Sequence, residues 1–553
     1  MTEVPRGPLL EMKGLRLTTR SGPVVRDIDL TIRSGECVGI VGASGAGKTL
    51  TALSVVRLLP RGVGAQGRIM WKGSDLLNMP EERIRGIRGR EIGMVFQDAL
   101  GALHPALTVI EQVAEALTAH GCDRAEARDR ATLLLESVGI DRDAATAPRY
   151  PHEWSGGMRQ RALIAIAIAN EPELLIADEP TTALDVTTQA RVLDVLRNVH
   201  ERSAASLIII THDLGVIAEM ADRVVVMHEG RVVEEGPTHG LFRSPRHPHT
   251  RELLERRPGL GPFRSARASM GALSAPVEGD SAPASRALAG GAVALRVEEL
   301  TVTYARRGHP SVRALERVTF HVAEGETYGL VGESGSGKTT LARTLVGLVA
   351  PDAGRVQACG ETLADLTPMA LRRLRGRVQI VFQDPRASLN PRRAVGDIIA
   401  QPLYVHGRGA EAAERVPRLL TRVGLRPSDA GKKPNEFSGG QLQRVAIARA
   451  LALGPEVLIL DEPVSALDTV VQARIISLLD ELRDALGLSM VLIAHDLALV
   501  AGLSHRIGVM RSGRIVEEGT ARQICAAPAH PYTQDLLASQ PRWEPSPPEE
   551  RNA

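Results

Sequence analysis

Two octapeptides in this 553-residue sequence carry residues suited to holding a phosphate chain: GASGAGKT at 42–49 and GESGSGKT at 332–339. Gly42, Gly45 and Gly47, with Gly332, Gly335 and Gly337, let the backbone curl until successive N–H groups converge on one point. Ser44 and Ser334 stand inside the same loops. A helix starting at the next residue would add its partly positive N-terminus to that anion site. Lys48 and Lys338 offer a compact charge for terminal phosphates, and Thr49 and Thr339 a hydroxyl for a divalent cation. The lysines are conspicuous, because the chain has only six against 61 arginines. Guanidinium is a planar fork and does not replace a point charge.

A second group of chemical residues ends two apolar runs. LLIA leads into Asp178 and Glu179, and VLIL into Asp461 and Glu462. Such runs read as buried strands, and open α/β sheets bind their ligands at the carboxyl ends of strands. An aspartate there can hold Mg²⁺ through water, and the glutamate beside it can polarise an attacking water as general base. A DE pair before proline is also a plausible helix N-cap, but the strand upstream and the matched spacing favour catalysis.

These groups recur because the chain repeats itself. VFQD at 95–98 returns at 381–384, SGGMRQR at 155–161 returns as SGGQLQR at 438–444, and THD at 211–213 as AHD at 494–496. Ser155 to Asp178 and Ser438 to Asp461 both span 23 residues; Asp178 to His212 and Asp461 to His495 both span 34. Repetition at half the chain length predicts two domains, at 1–257 and 293–541, and a short disordered tail at 542–553. Between them, 258–292 is rich in Ala, Ser, Gly and Pro and reads as a flexible linker. A coil of that length spans about 30–35 Å r.m.s., which implies an effective concentration of order millimolar between the halves.

The elements that must position these residues follow from alternation. Strand-like segments at 28–32 and 318–322 open each half, then strand, glycine loop and helix. A polar-faced helix is expected from the segments starting DLLNMPEERIRG and ADLTPMALRRLR, a helix at 187–204, and a buried strand in SLIIITHD. The prediction is an α/β fold: two tandem P-loop NTPase domains, each with a parallel-core sheet, an antiparallel edge and a helical subdomain.

Composition excludes several classes. A net charge of +2 lacks the basic excess of a dedicated nucleic-acid binder, so no nucleic-acid partner is expected. No run approaches the ~20 apolar residues of a membrane span, and no signal-peptide core opens the chain. A soluble, cytoplasmic protein is expected. Four scattered cysteines suggest neither zinc nor disulfides.

Taken together, the phosphate loops, Gln97 and Gln383, the SGG signatures, the strand-end DE pairs, the loops before Asp185 and Asp468, and His212 and His495 resemble the ATPase domains of ABC transporters. The likeness spans both halves. It implies ATP and Mg²⁺ as cofactors and a head-to-tail pairing of the two domains within the chain. One composite site would join Lys48, Thr49, Gln97, Asp178, Glu179 and His212 to Ser438, Gly439, Gly440 and Gln441. The other would join Lys338, Thr339, Gln383, Asp461, Glu462 and His495 to Ser155, Gly156 and Gly157. Mg²⁺ would be held by Thr49, Gln97 and Asp178, and by Thr339, Gln383 and Asp461. Tyr304 fits the family's adenine-stacking aromatic, whereas the aligned residue in the first half is Thr19, which implies weaker nucleotide binding there. The first signature also departs from LSGGQ, with Trp154 and Met158 as substitutions.

Two further segments are similar to ATPases that serve peptide and nickel importers. One lies around Gln97 and Gln383; the other comprises HPHTRELL and HPYTQDLL, each 11 residues past an EEG turn at Gly236 and Gly519. This implies a fused ATPase subunit, peripheral on the cytoplasmic face of the cell membrane. Its partners would be integral-membrane permease subunits and, indirectly, an extracytoplasmic substrate-binding protein. No cysteine cluster follows those segments, so no iron–sulfur cluster is expected. The alternative is a soluble tandem-ABC ATPase acting on ribosomes, whose interdomain region is typically a charged helical arm.

Overall fold

The alternation of apolar and polar residues in the first strands of each half sets up one half-buried sheet, and the continuous apolar runs set up another. A computed structural model describes residues 8–255 except 183 and 204, and 292–539 except 307, 308 and 466. These fall into two compact units, 8–255 and 292–539 in their described parts. The linker expected at 258–292 (Ala292 aside) and the tail at 542–553 lie outside the described residues, as does Ala183.

In the first unit the strands are β1 (Leu10–Thr19), β2 (Gly22–Ile32), β3 (Cys37–Val41), β4 (Gly64–Trp71), β5 (Ser74–Asp75), β6 (Ile92–Val95), β7 (Leu174–Asp178), β8 (Ser206–Ile210), β9 (Arg223–His228) and β10 (Arg231–Pro237). They form two sheets. One is antiparallel, in the order β2-β1-β4-β5. The other runs β10-β9-β3-β8-β7-β6, parallel throughout except for the antiparallel edge β10. Every residue of β3, β7 and β8 is buried, as a parallel sheet covered on both faces requires.

The second unit repeats this plan with β11 (Val293–Arg306), β12 (His309–Ala323), β13 (Thr327–Val331), β14 (Ala353–Ala358), β15 (Glu361–Thr362), β16 (Val378–Val381), β17 (Val457–Asp461), β18 (Ser489–Ala494), β19 (Arg506–Arg511) and β20 (Arg514–Thr520). Its sheets run β12-β11-β14-β15 and β16-β17-β18-β13-β19-β20, the second with an antiparallel β20 edge. The expected parallel core, antiparallel edge and helical portion are therefore present twice. Helices Val109–Thr118 and Arg124–Ser137 fall in the chain between β6 and β7, and Val395–Val405 and Ala412–Arg422 between β16 and β17.

The local expectations fared unevenly. The helix after the DE pair runs Val186–Ser203, and the polar-faced segments contain helices Glu81–Ile87 and Pro368–Arg377. The EEG segments are not turns. Glu234, Glu235 and Gly236 belong to β10, and Glu517, Glu518 and Gly519 to β20, because an edge strand tolerates charge on its open face. All four cysteines are free thiols. Among the described residues, no helix is long and apolar enough to cross a membrane.

Candidate active site

The chain leaves β3 at Val41 and turns through the first glycine loop into the helix Lys48–Val55; it leaves β13 at Val331 and enters the helix Lys338–Leu345 in the same way. Gly47 and Gly337 are the residues that turn the loop into the helix, with φ of 94° and 107°. A Cβ there would lie 2.8 Å from Val25 Cγ2 and 2.4 Å from the Ala314 carbonyl oxygen, so both the conformation and the space demand glycine. The lysines fold back over their own loops. Lys48 Nζ donates to the carbonyls of Gly42 and Ala43 at 2.7 and 3.1 Å; Lys338 Nζ donates to those of Gly332 and Glu333, both at 2.7 Å. An incoming phosphate offers each ammonium a charged acceptor in place of these carbonyls.

The ends of β7 and β17 bring the carboxylates to those loops. Thr49 Oγ1 donates to Asp178 Oδ1 at 3.2 Å, and Thr339 Oγ1 to Asp461 Oδ1 at 3.3 Å. Both aspartates are 2% exposed. Burial, opposed by Thr49 and Lys48, pushes Asp178 up to about 6; burial, reinforced by Glu462, does the same for Asp461. A buried carboxylate beside a hydroxyl, with phosphate oxygens to come, is the hard-oxygen donor set that Mg²⁺ takes. Gln97 and Gln383 offer amide oxygens from the residues after β6 and β16.

The adjacent glutamates are held in an unusual backbone state. Glu179 and Glu462 have φ of 46° and 47°, and their N–H groups donate to the carbonyls of Ile210 and Ile493 at 2.8 and 2.9 Å. A left-handed glutamate straight after a buried strand is sparsely populated, and such outliers cluster at functional sites. Gln97 Nε2 donates to Glu179 Oε2 at 2.8 Å, and His212 Nδ1 lies 3.6 Å from Glu179 Oε1. In the second unit Gln383 Nε2 donates to Glu462 Oε2 at 2.7 Å, with His495 Nδ1 at 3.7 Å. Burial works against the charge on Glu179, but His212, Thr182 and Lys48 outweigh it and hold the carboxyl down at about 2. Burial likewise opposes the charged form of His212 and His495, and the facing glutamates win there too, raising both imidazoles.

The structure thus brings Lys48, Thr49, Gln97, Asp178, Glu179 and His212 into one cluster, and Lys338, Thr339, Gln383, Asp461, Glu462 and His495 into another. Thr182, whose hydroxyl donates to Glu179 Oε2 at 2.8 Å, was missed in the sequence. Its counterpart Ser465 donates instead to the Glu462 carbonyl at 3.3 Å. Only its place three residues after the glutamate could have flagged it.

The signature residues start helices. Ser155 caps Gly156–Ile168, its hydroxyl accepting from Met158 N, and Ser438 caps Gly439–Ala450, accepting from Gln441 N. Gln441 returns the bond, its Oε1 accepting from Ser438 N at 3.0 Å. Methionine at 158 has no oxygen to do so. Gly157 and Gly440 let these helices approach the next ones: a Cβ would fall 2.0 Å from Thr188 Cγ2 and 2.2 Å from Val471 Cγ1. Trp154 is buried, and its indole N–H has no hydrogen-bond partner among the described residues. Tyr304 stands at the far end of β11, 41% exposed, with its ring open to stacking. Thr19 at the matching end of β1 turns its hydroxyl onto the Gly22 carbonyl.

Comparison with known proteins places this geometry among relatives. The ABC transporter family matches residues 25–182 and 315–465, and the oligopeptide/dipeptide transporter C-terminal region matches 233–279 and 516–552. The oligopeptide transport ATP-binding protein OppD of Mycobacterium tuberculosis is 42% identical, over 98% of this chain and 99% of its own. The glutathione import ATP-binding protein GsiA of Escherichia coli K12 is 43% identical, over 94% of this chain and 87% of its own. Among solved structures, a dimeric ATP-binding cassette in a post-hydrolysis state bound to ADP and Pi is 32% identical, covering 41% of this chain and 99% of its own, with a TM-score of 0.38.

Proposed function

The chain belongs to the ABC transporter ATPase family, and from that premise we propose that it hydrolyses ATP to power a membrane importer of peptides or of a related small solute such as a nickel chelate. The observation that carries this is the duplication of a complete catalytic cluster, each copy followed by the C-terminal region of oligopeptide and dipeptide transporters. Those two regions favour the importer over a ribosome-associated ATPase. Each cassette, 1–257 and 293–541, supplies one phosphate loop and one signature. We assign two composite ATP sites to the chain, each pairing the phosphate loop of one cassette with the signature serine and glycines of the other. The work is done on integral-membrane permease subunits at the cytoplasmic face, with a binding protein on the far side delivering cargo.

The chemistry follows from what holds Glu179 and Glu462. The Glu179 carboxyl, near 2, is ionised but weakly basic, because its oxygens are already occupied by Gln97, Thr182 and His212. A γ-phosphate competes for the same donors, and each one drawn away returns basicity to the carboxylate, which then orients and deprotonates the attacking water. Thr49, Asp178 and Gln97, and in the second unit Thr339, Asp461 and Gln383, would hold Mg²⁺, which when bound would neutralise charge on the phosphates. Serine and glycine amides of the opposing signature would cap the γ-phosphate, so hydrolysis dissolves the bridge between cassettes.

The test is the double substitution Glu179→Gln with Glu462→Gln. ATP binding should persist while steady-state hydrolysis falls by at least about a hundredfold, in line with the contribution of a general base. Wild-type turnover would overturn the assignment of the glutamates. Affinity capture from membranes should recover permease subunits; recovery of ribosomal proteins in their place would favour the alternative.

A further inference from the structure

In the second cassette the HPYT segment reaches back to the phosphate loop. His530 caps the helix Pro531–Ala538, its ring nitrogen accepting from Tyr532 N at 3.1 Å, and Pro531 takes a first-turn position that needs no N–H. Glu517 of β20 accepts from the N–H groups of Ala529 and His530 at 2.7 and 3.1 Å, which fixes the helix start to the sheet edge. Mounted this way, Tyr532 is buried, its ring 4.7 Å from the Arg511 guanidinium. Its hydroxyl oxygen accepts from the N–H of Glu333 at 3.1 Å. Glu333 is the second residue of the phosphate loop, and its carbonyl is one of those holding Lys338 Nζ. The loop is gripped from behind at the residue that also parks its lysine.

The first cassette builds the same mount without the hydroxyl. Glu234 of β10 accepts from the N–H groups of Arg246 and His247 at 2.8 and 3.0 Å, and His247 Nδ1 accepts from His249 N at 3.2 Å. His249 stands where the second cassette has Tyr532, and His228 where it has Arg511. The two imidazoles stack with centroids 3.8 Å apart. His249 Nε2 is buried and, among the described residues, has no hydrogen-bond partner.

We propose that the C-terminal helix of each cassette positions that cassette's own phosphate loop, with Tyr532 latching the second loop in its nucleotide-receiving shape and the first loop left unlatched. The inference rests on the assignment of both loops as ATP sites. Tyr532 is a positioning residue: it touches the loop's backbone, not the phosphates. It gives the importer-type C-terminal region a task inside the ATPase and makes nucleotide affinity sensitive to whatever moves that helix.

Tyr532→Phe in the full chain keeps the ring against Arg511 and removes only the hydroxyl. A fluorescent ATP analogue is titrated in a Lys48→Ala background, so that the second site alone is read. Kd should rise about two- to tenfold, the scale of one net hydrogen bond. In the otherwise native chain KM for ATP should rise similarly, with kcat and melting temperature little changed. The reciprocal change, His228→Arg with His249→Tyr in a Lys338→Ala background, should tighten the first site. Unchanged Kd in Tyr532→Phe, with Lys338→Ala still abolishing analogue binding at the second site, overturns the latch and leaves the ATP-site assignment standing. Unchanged binding in both overturns that assignment itself. A lowered melting temperature with kcat and KM failing together overturns the latch in favour of a merely structural tyrosine.

Discussion

At the scale of single residues the two cassettes are the same machine with different fastenings. Glu179 and Glu462 share a left-handed backbone and a glutamine donor, yet Thr182 sets its hydroxyl on the Glu179 carboxylate while Ser465 sets its own on the Glu462 backbone carbonyl. Ser438 and Gln441 cap one another reciprocally, while Ser155 faces Met158, which returns nothing. Met158→Gln should therefore complete the first capping box and stabilise that cassette by about 0.5–1 kcal/mol, read as a raised melting temperature. An unchanged melting temperature would show that the missing bond is made good by water. Gly440→Ala should do the reverse. Its Cβ would meet Val471 Cγ1 at 2.2 Å, and forcing the two helices apart costs about 1–3 kcal/mol. Because the same glycine is part of a signature, ATPase activity should fall by more than the lost stability explains.

At the scale of elements, the contact between the six-stranded sheet and the C-terminal helix differs in kind between the cassettes. In the second the Arg511 guanidinium lies over the Tyr532 ring, whereas in the first His249 stacks its imidazole on that of His228. Burial first, then His228 and His247, hold His249 below the ordinary histidine value, with Glu252 pulling the other way. An imidazole held low in the folded state takes up its proton more readily unfolded. The stability it contributes is whole above about pH 6.5 and is lost as pH falls through that value toward the folded pKa. The melting temperature of the native chain should thus fall relative to that of His228→Arg with His249→Tyr as pH drops from about 7.5 to 5.5; His212, His495, Asp178 and Asp461, all held high, act with the opposite sign but are common to both proteins. His406, also held low, is present in both proteins and cancels from the comparison. An identical pH slope in the variant would exclude the stacked pair as its source. This scale is also where sequence reading stops. Apolar runs ending in Asp178 and Asp461 told of buried strands and what lies at their ends, because burial on both faces leaves no alternation to confuse. Glu234 and Glu517 misled, since acidic residues on an edge strand look like a turn. The Tyr532 bond to Glu333 was invisible, as 199 residues of chain separate its partners and no local pattern encodes the meeting.

At the scale of the whole molecule, each unit carries one complete catalytic cluster and one signature, so neither composite site we propose can form from one unit alone. A tether of roughly 35 residues would keep the partner cassette at about millimolar effective concentration, far above the concentration of chains in an assay. Pairing within the chain should then dominate, and two dead chains can test it. Lys48→Ala with Ser155→Arg disables both sites of one chain, the first through its loop and the second through its borrowed signature. Lys338→Ala with Ser438→Arg disables both sites of another by the opposite route. In a mixture, the first unit of the second chain and the second unit of the first retain everything two sites require. If cassettes paired between chains, activity would return on mixing and grow with protein concentration. Intrachain pairing predicts no recovery, together with a wild-type rate strictly proportional to the number of chains. Rescue to a substantial fraction of wild-type activity would transfer the unit of function from one chain to two.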